Sequence, residues 1–251
     1  MDFKNLNLSN IAVIARPIPP VVTSGLVYYV DASNAASYTG FGTNWTDLSG
    51  QGYTTTLGSG IKYSADLGGS LVFDGTSNAW AGVTGSQQFN YDYSAGVTVL
   101  VIAKFDSSTK NSTAWQRLID FGNGTPANNI ILCRNANSDS VLMDIEGIND
   151  NSGPYLNPGE MSLDWDQWKM YGMLADGTYW KEYKNGQFYS YEGNQVVPVS
   201  LNRAYNYIGR SNWNADSYYK GSISAVLIYN RALTEPEILQ NYEHFKLRVG
   251  L

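Results

Sequence analysis

From Gly25 onward the chain alternates short apolar runs with clusters of Gly, Asn, Asp and Ser, the punctuation of an all-β protein. The clearest strands are "GLVYYV", "SLVFDG", "VTVLVIAKF", "RLIDFG", "NIILC", "VLMDIEG", "WKMYGML" and "SISAVLIYN". In "YWKEYKNGQFYSYE" the Asn185-Gly186 pair suits a two-residue turn with positive φ at both central positions, which predicts a hairpin pairing Tyr183 with Phe188. One helix breaks this pattern. It follows Leu233, where Thr234 and Glu237 form a Thr-x-x-Glu capping box and Ile238, Leu239, Tyr242 and Phe245 supply an apolar stripe. Before Gly25 the periodicity is lost. Pro17, Pro19 and Pro20 favour an extended backbone, so residues 1–24 read as an arm, and its Leu6, Leu8, Ile11, Val13 and Ile14 call for a partner surface. The expected organisation is an extended N-terminal arm, residues 1–24, and one domain, residues 25–251, with no internal repeat.

Composition narrows the function classes. Hydrophobic residues make up 43% of the 251 residues, enough for a large core, while charged residues are 15% and the net charge is -6. Clustered Lys and Arg are missing, so no nucleic acid partner is expected. The start lacks the charged region, apolar core and cleavage site of a secretory signal, and no apolar run reaches membrane-spanning length, so a leaderless protein without membrane insertion is expected. Asn44, Asn111 and Asn123 stand in Asn-x-Thr acceptor sequences, which are idle without secretion. Cys133 reads as a small buried hydrophobe, and with His244 the only histidine, neither residue suggests a metal site or a nucleophile.

The order "GLVYYVDASNAASYTGFGTNWTDLSGQG", "GGSLVFDGTSN", "DQWKMYGMLADG", "EYKNGQ", "IGRS" and "YYKGSISAVLIYNRALTEPEI" resembles the laminin-G-like group of the concanavalin A-like lectin and glucanase domains over residues 25–245. The versions with "VDASNAASY" and "WTDLSGQG" are similar to domains of bacteriophage virion proteins and bacterial surface proteins. The resemblance implies a two-sheet antiparallel jelly-roll sandwich with a short C-terminal helix, and a non-catalytic binding or structural role. It also implies that Gly209, Gly221, Ile223, Val226, Ile228 and Tyr229 are framework, as are Trp45 and Trp168. Trp80, Trp115, Trp165 and Trp180 have polar sequence neighbours, which puts some of them at a surface or interface.

The loop "SNWNADSYY" is the candidate ligand site. Asn212, Asn214 and Asp216 match hydroxyl groups, and Trp213, Tyr218 and Tyr219 offer flat apolar faces, the two surfaces a sugar presents. An aromatic plug in a polar turn is the alternative. Sandwich glycosidases of this superfamily carry E-x-D-x-x-E on one strand; here Leu142, Asp144, Glu146 and Asn149 depart from that pattern, so no catalytic residue is assigned and Asp144 and Glu146 read as a solvated strand face. The resemblance also raises calcium near Asp74. Ser224 and Ala225 stand where an Asp-Glu pair is usual, so no cofactor is expected and Asp74 reads as a turn residue. The expected function is a virion structural protein, a capsid decoration or tail-associated subunit at the virion surface. Its arm would grip a neighbouring subunit while its sandwich adheres to cell-surface glycans. A free-standing carbohydrate-binding module at a cell surface, and then a glycoside hydrolase, are the alternatives.

Overall fold

The computed structural model describes residues 17–83, 89–111, 113–126, 128–145, 161–193 and 196–249. The first half of the chain supplies β1 (Leu26–Asp31), β2 (Asn44–Thr46), β3 (Thr54–Leu57), β4 (Ile61–Ser64), β5 (Ser70–Asp74), β6 (Ala81–Val83), β7 (Val97–Phe105) and β8 (Arg117–Gly122). The second supplies β9 (Ile130–Arg134), β10 (Ser140–Ile145), β11 (Met161–Ser162), β12 (Lys169–Ala175), β13 (Tyr179–Lys184), β14 (Gln187–Gly193), β15 (Tyr205–Ile208), β16 (Lys220–Tyr229) and the helix α1 (Glu235–Val249). The strands form two antiparallel sheets. The first runs β14-β13-β12-β7-β16-β5-β4, and β1 shares with β5 one edge of β16; the second runs β11-β10-β9-β8-β15-β6-β3-β2.

The unbroken apolar run of β7 has a physical cause in this arrangement. Val99, Val101, Ala103 and Phe105 pack between the sheets, while Leu100 and Ile102 face outward beneath α1 with Met170, Leu174, Leu227 and Tyr229. Both faces of the central strands are covered, so alternation disappears. Ile238 and Phe245 are fully buried on this outer face, and burying each contributes about 1.5–3 kcal/mol. Leu239, expected in the same stripe, is 41% exposed, and Asn241 takes the inward position instead. Asn241 accepts from the Val22 amide at 3.0 Å and donates to the Tyr229 hydroxyl at 3.0 Å.

The end of the expected arm lies against the domain. Gln240 donates to the Pro20 carbonyl, His244 Nδ1 meets the Pro19 carbonyl at 2.8 Å, and Arg231 donates to the Ser24 carbonyl. Residues 19–24, read as part of a separate arm, are a strap on α1; the expectation for residues 1–16, including their apolar positions, lies outside the described residues. The helix cap also differs from a reciprocal box. Glu237 accepts from both the Thr234 amide at 2.8 Å and the Thr234 hydroxyl at 2.9 Å, and a bidentate Arg231 clamps the same carboxylate. The Arg231 hydrogen bond leads the effects that pull the Glu237 carboxyl down to about 2.

At the Asn185-Gly186 hairpin, φ is 52° and 74°, and Tyr183 pairs with Phe188 as the turn chemistry requires. Trp45, Trp168 and Trp180 are buried. Beside Trp180, Glu182 is fully buried on the inward face of β13. Its Oε2 accepts from Ser190 at 2.7 Å, Oε1 has no hydrogen-bond partner among the described residues, and burial pushes the carboxyl up to about 7.

Candidate functional site

The outer face of the second sheet carries no helix among the described residues, and its side chains form two cross-strand rows. Tyr207, Asp120, Ile131 and Asp144 stand in register across β15, β8, β9 and β10. Arg117, Cys133 and Leu142 form the neighbouring row. They face outward because the alternate residues Ile119, Phe121, Leu132 and Met143 fill the inter-sheet core.

Above these rows runs the 209–219 loop, fixed by one buried carboxylate. Asp120 is fully buried and accepts from the Asn212 amide at 2.8 Å, the Asn212 side chain at 2.8 Å and the Asn129 side chain at 2.6 Å. Arg117 Nε lies 3.7 Å from its second oxygen. Burial pushes the Asp120 carboxyl up, while Arg117 and these amides oppose that shift. The loop begins at Gly209, whose φ is 78° and where a Cβ would lie 2.6 Å from the Phe73 ring, so no other residue fits without displacement.

Arg117 is the centre of the site. Its guanidinium carbon lies 5.6 Å from the Trp115 ring centroid and 5.4 Å from that of Trp213. Nη1 donates to the Cys133 sulfur at 3.0 Å and Nη2 to Asp216 at 2.9 Å. Burial pushes the Cys133 thiol up to about 12, so it accepts as a neutral group. With Ile131 and Leu142 beneath and Asp144 and Asp216 alongside, these groups line a pocket of about 180 Å³. That is below the roughly 300–1,000 Å³ of pockets for drug-sized ligands and suits one small ring.

A larger groove of about 430 Å³ crosses the first sheet near Trp168. Its groups are already engaged: Asp74 accepts from Thr76, Asp106 from Ser108 and Asp166 from Ser107, and Lys104 stands 5.5 Å over the buried Trp168 ring. Asp74 is thus a turn residue, its pKa lowered by the Thr76 hydrogen bonds. Among the described residues no group of three His, Cys, Asp or Glu side chains is arranged to hold a metal ion. The Arg117 pocket, with two partly exposed indoles, is the better-built site.

The fold agrees with the sequence comparison: residues 74–239 match the model of the concanavalin A-like lectin/glucanases superfamily. The chain belongs to this superfamily. No curated protein matches it in sequence. Among solved structures this concanavalin A-like domain is similar to the botulinum neurotoxin serotype D ligand binding domain in complex with N-acetylneuraminic acid, with a TM-score of 0.64 and 14% identity over 88% of this chain and 51% of that one. The botulinum neurotoxin serotype G binding domain gives 0.63 and 13% over 86% of this chain and 50% of that one. Trypanosoma rangeli sialidase in complex with sialic acid gives 0.62 and 19% over 90% and 35%. The chain spans about half the length of the toxin domains and about a third of the sialidase. At such identity the likeness is one of fold.

Within this concanavalin A-like domain the six loop residues expected to bind ligand part ways. Trp213 and Asp216 line the pocket. Asn214 is exposed, and Tyr218 is partly buried beside it at a second, much smaller depression. Asn212 is spent on Asp120 and serves as a pin. Tyr219 is a correction: it is fully buried, packs edge-on against Phe73 and Phe105, and donates its hydroxyl to the Lys104 carbonyl at 2.9 Å. The plug reading holds for that residue. Asp144 is also corrected, being 3% exposed under the pocket wall rather than solvated; Glu146 lies outside the described residues. Sequence reasoning missed Trp115, Arg117 and Asp120. The available signal was the pair of charges in the otherwise apolar "RLIDFG", where Arg and Asp in one strand need partners.

Proposed function

We propose that this domain is a non-catalytic glycan-binding module whose site is the Arg117 pocket, displayed at a virion surface through its N-terminal arm. The observation that carries the binding proposal is the pair of indoles, Trp115 and Trp213, flanking one buried arginine on the outer face of the second sheet, with carboxylates alongside. Aromatic faces stack on the apolar side of a pyranose, and carboxylate oxygens accept from its hydroxyl groups. Two of the structurally similar proteins are in complex with sialic acid or N-acetylneuraminic acid, which supports sugar binding as a use of this fold. Hydrolysis finds less support: glycosidases need two carboxyl groups facing the scissile bond, and Asp120 is committed to the loop amides. The virion setting rests on the sequence resemblance and on residues 1–16, which precede the strap.

A glycan array tests the binding proposal. The parent should bind a defined set of glycans, and Trp213→Ala should lose that binding while its circular dichroism and melting curve stay near the parent's. No binding by the parent, or equal binding by both proteins, overturns it. For the virion setting, a chain beginning at residue 17 should fold but no longer enter particles.

A further inference from the structure

We infer that the groove on the outer face of the first sheet is a second sugar site, which takes a neutral disaccharide unit. It is separate from the Arg117 pocket and lies on the opposite face of the sandwich. Its volume of about 430 Å³ is more than twice the about 180 Å³ of that one-ring pocket, and falls within the roughly 300–1,000 Å³ of ligand sites. Side chains that alternate with the inter-sheet core form its floor: Ser70 and Val72 alternate with Leu71 and Phe73 on β5, and Ser222 precedes Ile223 on β16. Two floor hydroxyls point to a ligand. Ser70 is 2% exposed and Ser222 7%, both border the groove, and neither hydroxyl has a hydrogen-bond partner among the described residues. The neighbouring serines are satisfied: Ser224 donates to the Gly69 carbonyl at 3.0 Å, and Ser64 accepts from the Asp66 amide at 3.2 Å. A polar group withdrawn from most of the water is costly unless something bonds it, so the two open hydroxyls mark where a ligand's polar groups belong.

The chemistry around these hydroxyls selects the ligand class. Ser222 pairs in register with Lys104 on β7 and with Val72 on β5, so a hydroxyl and an ammonium-bearing chain start side by side, with Ser70 on the diagonal beyond. Serine hydroxyls donate and accept, Lys104 donates, and the carboxylates at the rim accept, a mixture that suits sugar hydroxyl groups, which do both. An anionic ligand is disfavoured, because Asp66, Asp74, Asp106 and Asp166 outnumber Lys104 and Lys220 around the groove. A peptide strand finds no edge to join, since β5, β16 and β7 are each hydrogen-bonded to a neighbour on both sides.

The test uses the full chain carrying Trp213→Ala, which disables the Arg117 pocket alone, titrated by calorimetry with neutral gluco- and chito-oligosaccharides of one to four rings. The expected result is binding of members with two rings or more, and at least about tenfold weaker binding of single rings. Adding Ser70→Ala and Ser222→Ala should weaken that binding by at least about tenfold while the melting temperature stays level or rises, because the fold itself makes no use of these hydroxyls. No binding by the Trp213→Ala chain overturns the groove, and binding by the parent alone assigns the sugar to the Arg117 pocket. Equal binding with and without the two serines also overturns it, as does a serine double variant that melts well below its parent, since the hydroxyls would then serve the fold. Tighter binding of a sulfated disaccharide than of its neutral form overturns the ligand class.

Discussion

Replacing Glu182 by Gln should make the domain more stable at pH 8 and leave it unchanged at pH 4. The folded carboxyl titrates at about 7, raised by burial from a reference of 4.5, so it stays protonated in the fold where the unfolded chain has released its proton. Between those values the folded state binds more protons, and stability falls by about 1.4 kcal/mol for each pH unit. The favourable state is complete below pH 4.5, declines as pH rises and is lost above 7. Across the window the loss sums to about 3 kcal/mol, which glutamine avoids because it never ionises and still accepts from Ser190. In a domain of this size that corresponds to about 6–12 °C in Tm. Urea unfolding of parent and Glu182→Gln at pH 4, 6 and 8 measures it, since all other titrating groups cancel in the difference. A gap between the two proteins that is constant with pH would refute the reasoning, as would a variant less stable at pH 8.

Asp120→Ala should cost about 3–5 kcal/mol, because it leaves Arg117 facing a cavity and unpins Asn212; urea unfolding reads the loss, and a change below 1 kcal/mol would place the loop's anchor elsewhere. Thr234→Ala should sit at the low end of the roughly 0.5–2 kcal/mol range for helix caps, since the hydroxyl donates to Glu237 instead of accepting a helix amide, and a thermal melt separates the two cases. A chain starting at residue 17 should melt like the parent, whereas one starting at residue 25 should melt several degrees lower, having lost the bonds from Asn241, Gln240 and His244; equal melting of both would show that the strap is dispensable.

What the sequence makes legible follows from the range of the interactions. β7 and β8 are readable to the residue because their apolar runs are long and bounded by turn residues, and the Asn185-Gly186 hairpin is readable because its geometry is local. The short strands β2, β3, β4, β6, β11 and β15 escape: none exceeds four residues, and threonine-rich "TTTL" carries little alternation. The pocket escapes for a different reason. Arg117 meets Cys133 only through the β8–β9 register, and meets Asp216 across 99 positions of sequence. The loop drew attention through Trp213 and Asp216, which line the pocket, and through Tyr219, which belongs to the core; single-sequence chemistry cannot tell an aromatic platform from an aromatic plug.

The strap on α1 also decides how the domain can be held. Residues 19–24 and the helix that ends the described chain both lie on the outer face of the first sheet, whereas the Arg117 pocket opens on the outer face of the second. The described chain thus enters and leaves the domain on the face opposite the pocket. In that posture many copies on one support can engage a surface together. A pocket sized for one ring can then be weak in a single copy and strong in an array, because linking contacts raises avidity by ~10²–10⁴ without any new interaction.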